Sequence, residues 1–102
     1  MTKLALYVPL EARPDREEEA AALLQSLFPL VENEPETTTW YAVRLDHNTF
    51  ALFAAFQDEA ARNTHLAGEA LVTLIQQAPE LFVDPPEIER LEILACKPHQ
   101  AT

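Results

Sequence analysis

The stretch TTTWYAVRLDHNTFALFAAF, residues 37–56, decides the architecture. Two runs rich in β-branched and aromatic residues flank Asp46-His47-Asn48-Thr49, a polar segment of turn-forming residues, and this pattern predicts a β-hairpin. With His47 and Asn48 as a two-residue loop, an unbroken ladder places Val43 opposite Leu52 and Tyr41 opposite Ala54. One face of the hairpin then carries Tyr41, Val43, Leu45, Phe50, Leu52, Ala54 and Phe56. The other carries Trp40, Ala42, Arg44, Ala51, Phe53 and Ala55, whose small residues let a helix pack closely. A slip of one residue exchanges the two sets, because side chains alternate along a strand.

Upstream, RPDREEEAAALLQSLFPLVENEP (13–35) predicts a helix. Pro14 suits a first turn, and Glu17, Glu18 and Glu19 place negative charge at the positive end of the helix dipole. Ala20, Leu23, Leu24, Leu27 and Val31 recur at helical spacing, Pro29 is expected to interrupt the helix, and Pro35 ends it. Before that, KLALYVPLE (3–11) alternates as a strand with Leu4, Leu6, Val8 and Leu10 on one face. Pro9 has no donor and fits an edge or the end of a ladder.

Downstream, Asp58 is a good N-cap for DEAARNTHLAGEALVTLIQQAPE (58–80). Gly68 weakens this helix and divides it into one segment to about Leu66 and another to about Ala78. Pro79, Pro85 and Pro86 punctuate the connection to a last strand, IERLEILACK (88–97). The order is βαββαβ, which specifies an α+β, ferredoxin-like plan: a four-stranded antiparallel sheet with its helices on one face. The second sheet face is also apolar. A monomer would leave it exposed as a large patch, so a homodimer pairing two sheets face to face is expected.

A chain of 102 residues, 48% of them hydrophobic, supports one core and one domain, 1–102. The net charge of −10, with seven scattered Lys and Arg, argues against nucleic acid and against an anionic membrane surface as partners. The single cysteine, Cys96, forms no internal disulfide, and the short apolar run before Pro9 and Glu11 ends in charges; a cytoplasmic protein is expected. One glycine excludes phosphate-cradling loops, and one serine, Ser26, lacks an elbow motif. His47, His65 and His99 show no ligand spacing, so no metal site is expected.

The segments LYVPLEARPDREEE, PLVENEPETTTWYAVRL, TFALFAAFQDEAARNTHLAGEA and APELFVDPPEIERLEILACK together resemble the antibiotic biosynthesis monooxygenase family, which includes quinol monooxygenases. The resemblance covers roughly residues 4 to 97, and its most specific element is Phe56 followed by His65-Leu66. It implies a dimeric α/β barrel with a pocket in each subunit. It also implies oxidation of small phenolic or quinol-like aromatics by molecular oxygen, with no cofactor: neither metal nor flavin. Such chemistry needs an apolar cavity, a group that removes the phenolic proton, and polar atoms that hold the anion. Two departures stand out. Many relatives carry an acid two positions before the Phe56 aromatic, where this chain has Ala54. The haem-degrading branch uses Asn, Trp and His at the positions of Val8, His65 and Ile75, so haem degradation is disfavoured.

His65 is the candidate catalytic residue, since an imidazole exchanges protons near neutral pH; the alternative is a half-buried helix histidine bonded to a neighbour. Tyr41, Phe56, Leu52 and Val8 are the candidate substrate-binding residues, with Tyr41 as polar anchor and Phe56 as wall, against the plain alternative of core packing. Trp40 and Arg44 fall on the helix side and read as structural, His47 and Asn48 as turn residues, and Cys96 as a small hydrophobe. A rival reading is a non-catalytic dimer that binds a small hydrophobic ligand. The missing acid at Ala54 favours it.

Overall fold

Alternation in the first strand and in the hairpin is what builds the sheet. A computed structural model describes residues 2–97. The strands are β1 (Leu4–Glu11), β2 (Thr37–Asp46), β3 (Thr49–Phe56) and β4 (Glu89–Glu92), and the helices are α1 (Glu17–Ser26), α2 (Phe28–Glu32), α3 (Glu59–Leu66) and α4 (Glu69–Leu81). The sheet is antiparallel in the order β2-β3-β1-β4. This is the ferredoxin-like α+β plan, with the helix of each crossover broken in two.

Each break has a local cause. Pro29 lies in the first turn of α2, where its missing N–H costs no intrahelical bond, so the chain restarts a helix there. The first helix begins at Glu17 rather than at Pro14, because Asp15 adopts a left-handed conformation (φ 66°) that a helix excludes. Gly68 separates α3 from α4 and serves as the N-cap of the latter. Pro79 falls inside α4, whose last turn runs on to Leu81, beyond the expected end near Ala78. The final strand is four residues long, shorter than the expected 88–97. It pairs with β1 only from Leu4 to Tyr7, so Pro9 lies just past the end of that ladder.

The hairpin turns at His47 and Asn48, with Asp46 opposite Thr49, but its ladder is irregular between Arg44 and Asp46. The extra residue there shifts the register by one. Tyr41 faces Phe53 and Val43 faces Ala51, while Trp40, Ala42 and Arg44 pair with Ala54, Leu52 and Phe50. The expectation that Phe50, Leu52, Ala54 and Phe56 share the face of Tyr41, and that Ala51, Phe53 and Ala55 share the helix side with Trp40, is therefore corrected: a β-bulge inserts one unpaired residue, so Tyr41 and Trp40 keep their expected sides while the two sets of β3 side chains exchange theirs.

Val8, Leu10, Phe50 and Leu52 pack beneath the helices with Leu23, Leu24, Leu27 and Leu74 in one cluster, and Leu6, Ala54, Phe56 and Ala61 form a second. Trp40 touches both clusters and lies 6.5 Å, centroid to centroid, from Phe28 of α2. Arg44, on the same face, stacks over Phe50 at 5.0 Å and reaches Glu18 of α1 at 2.9 Å. Trp40 and Arg44 are thus bound into the helix side, as expected. Among the described residues the opposite face carries no helix. Tyr41, Phe53 and Tyr7 form an aromatic row across β2, β3 and β1, with Val43 on the next row and Leu91 on β4. Tyr41, Val43 and Leu91 are exposed.

Candidate functional site

Asp58 starts α3 by accepting a 2.8 Å hydrogen bond from the Ala61 N–H, which fixes the helix one strand-end away from Phe56. Two turns later the same helix delivers His65, which is only 6% exposed and is the single buried polar or charged residue among those described. A buried imidazole needs partners. Its Nδ1 lies 2.5 Å from Oε1 of Glu34, a residue of the connection between α2 and β2. Thr37, the first residue of β2, donates its hydroxyl to the same Oε1 at 2.8 Å and sits 3.4 Å from Nδ1. The irregularity between Thr37 and Thr39 leaves Thr37 opposite Phe56, on the helix side and beside this cluster. The Phe56 ring packs against the imidazole with centroids 5.2 Å apart.

Gly68 completes the arrangement through space rather than backbone freedom, since its φ of −79° suits any residue. A Cβ there would stand 2.9 Å from Glu34 Oε2 and 3.3 Å from the His65 carbonyl. Two helix ends also meet at the pair. The last turn of α3 carries the imidazole, and the N-cap of α4, the positive end of its helix dipole, lies against the carboxylate. Glu34 Oε2 itself is buried with no hydrogen-bond partner.

A carboxylate at Nδ1 places the ring proton there, which leaves Nε2 as the acceptor. No partner for Nε2 is found among the described residues, and it is not among their sealed, unpaired atoms. A carboxylate that orients a histidine while its second nitrogen stays available is the arrangement general-base catalysis uses.

Glu34 and Thr37 were not legible as site residues. They lie 31 and 28 residues from His65 in sequence, with no spacing rule linking them. Of the expected substrate-binding residues, Phe56 touches His65, Leu52 and Val8 lie in the neighbouring core cluster, and Tyr41 is on the far side of the sheet. None of five surface clefts is lined by His65. His47 sits on the exposed hairpin turn, 3.7 Å from Glu17. His99 lies outside the described residues. Among those described, no cluster of His, Cys, Asp and Glu could hold a metal ion, and no helix is long and apolar enough to cross a membrane.

Neither a protein-family model nor a curated protein matches the chain. Solved structures do. A protein of unknown function from Nitrosomonas europaea, NE2512, is 44% identical, with 99% of this chain and 98% of that one aligned at a TM-score of 0.94. A candidate antibiotic biosynthesis monooxygenase from Nitrosomonas europaea aligns at 14% identity over 90% of this chain and 99% of its own, TM-score 0.79. Another, from Caulobacter crescentus, aligns at 15% identity over 92% of each chain, TM-score 0.78. At that identity the likeness speaks for the fold alone, which this chain shares with both. The chain belongs to the same family as NE2512 and shares the antibiotic biosynthesis monooxygenase-like fold.

Proposed function

We propose that the chain is a cofactor-independent monooxygenase acting on a small phenolic or quinol-like aromatic, with His65 as its proton-transfer group and Glu34 as the residue that orients it. One observation carries this reading: a buried imidazole is held at Nδ1 by a carboxylate, and Nε2 is left unclaimed. Nε2 would take the proton of an anthrone or phenol, and the electron-rich anion would then reduce oxygen. With an anthrone, the ring CH2 becomes a carbonyl, one atom of O2 enters the product, and the other leaves as water with the two hydrogens of that CH2, so no outside reductant is needed. Phe56 supplies the wall against the ring, with Leu52 and Val8 behind it.

The same reading includes a homodimer, formed by pairing the helix-free sheet faces of two copies. Its support is the aromatic row of Tyr41, Phe53 and Tyr7, flanked by Val43 and Leu91, of which Tyr41, Val43 and Leu91 would otherwise stand in water and Phe53 and Tyr7 would be half-covered. Tyr41 then belongs to the subunit interface. A second reading is a non-catalytic dimer that binds a small hydrophobic ligand. The absence of His65 from the surface clefts favours it.

Oxygen uptake by purified, metal-free protein with a panel of hydroquinones and anthrones tests the choice. The enzyme reading expects uptake above buffer that falls about 100-fold or more in His65→Ala, the scale of a lost general base. Uptake no faster than buffer would sink it, and saturable binding without turnover would support the second reading.

A further inference from the structure

At the far end of α4 from His65 lies a cleft of about 310 Å³, lined by Arg13, Ile75, Phe82, Val83, Asp84 and Pro85 among others. Gly68 and Pro79 are eleven residues apart, roughly 16 Å along a helix axis, so this cleft is not the His65 site. Its size is at the lower end of the roughly 300–1,000 Å³ typical of small-molecule pockets.

The walls are built to keep their shape. Pro79, Pro85 and Pro86 restrict the backbone that lines the cleft. Arg13 N–H donates to the Leu81 carbonyl at 2.8 Å, and Val83 N–H donates to the Glu11 carbonyl at 2.9 Å. Ala12 bridges Phe82 between them, and Phe82 and Ala78 form a buried floor. Such a cleft needs little ordering when a ligand arrives. Its rim leaves Ile75 and Val83 in water, 50% and 41% exposed.

One cation faces this apolar space. Arg13 donates from Nε to the Pro79 carbonyl at 3.0 Å, which ties the side chain to the wall of the cleft. Among the described residues its two terminal nitrogens have no partner, and no carboxylate lies within 4.0 Å of it. Among the basic residues described, Arg13 is the one that lines this cleft, where its guanidinium lies beside Ile75 and Val83. A guanidinium edge matches a carboxylate with two parallel hydrogen bonds. Asp84 shares the cleft and repels a second negative charge.

We propose that this cleft is a binding site for a small apolar monocarboxylate, of benzoate size, whose carboxylate is held by Arg13 and whose ring lies against Phe82, Ile75 and Val83. The site is independent of the proton-transfer pair and stands whether or not the protein oxidises an aromatic.

Titration calorimetry of the full chain with sodium benzoate tests it, with benzyl alcohol as the neutral comparator and phthalate as the dianion. The expected result is saturable binding of one benzoate per chain, at least tenfold weaker binding of both comparators, and about a tenfold or greater loss in Arg13→Gln. Ile75→Glu adds a carboxylate at a half-exposed rim position, where folding is insensitive to it, and should weaken benzoate by a similar factor. No saturable benzoate binding by the wild type would overturn the proposal. So would binding that survives both substitutions, benzyl alcohol binding as tightly as benzoate, or a loss confined to His65→Ala, which would place the anion at the other end of α4.

Discussion

Glu34 and His65 are 31 residues apart in the chain and 2.5 Å apart in space, and that contact gives the histidine its orientation. The histidine itself was legible, because a lone imidazole on a helix beyond an aromatic strand end is visible in sequence. Its partner was not, because ENEPETTT offers three carboxylates and nothing in their order says which one turns inward. Glu34→Gln keeps the shape but removes the charge that Nδ1–H and the Thr37 hydroxyl both address. The expected cost is about 1–3 kcal/mol, read as a lower denaturant midpoint with an unchanged slope. Gly68→Ala should act on the same contact from the other side, since its Cβ displaces Oε2. A loss of roughly 1 kcal/mol is expected, together with a shifted His65 ring resonance in the NMR spectrum. An unmoved resonance would show that Glu34 does not need the space.

At the scale of elements, helices and strands were readable from periodicity and caps, and faces were not. Asp58 announced α3, and Gly68 announced its end at Leu66. The one-residue irregularity between Arg44 and Asp46 has no comparable signal, and it puts Phe56, Leu52 and Ala54 on the helix side while Tyr41 stays on the helix-free face where it was expected. Phe56 is fully buried and joins β3 to α3. Phe56→Ala should cost about 3–5 kcal/mol by the same denaturant measurement.

The tie between α1 and the hairpin is of another kind. Hydrogen bonding and attraction from Arg44 hold the Glu18 carboxyl below its ordinary value of 4.5. The folded form therefore binds that proton less readily than the unfolded chain. The contribution is present above the ordinary carboxylate range and is lost as pH falls through the lowered value. Because Glu18 is fully exposed, the effect is small. Arg44→Leu should flatten the acid side of the stability profile slightly, and a steeper acid side in that variant would contradict the assignment.

For the molecule as a whole, the order βαββαβ was enough to specify a ferredoxin-like sheet, and the spare apolar face followed from it. The dimer proposed on that face places Phe53 and Tyr41 at its centre. Sedimentation should find a dimer at micromolar concentration that Phe53→Glu converts to monomer, and a wild type that stays monomeric would remove the interface from the account. What the sequence left unreadable at this scale is the route to His65, because no cleft beside it is written in residue types. Proton removal by an oriented imidazole is the step on which the proposed reaction depends. Oxygen consumption with an anthrone, compared between wild type and Glu34→Gln over a range of pH, measures that step. Orientation by Glu34 predicts at least a tenfold slower rate in the variant with the fold intact; equal rates in the two proteins would contradict it.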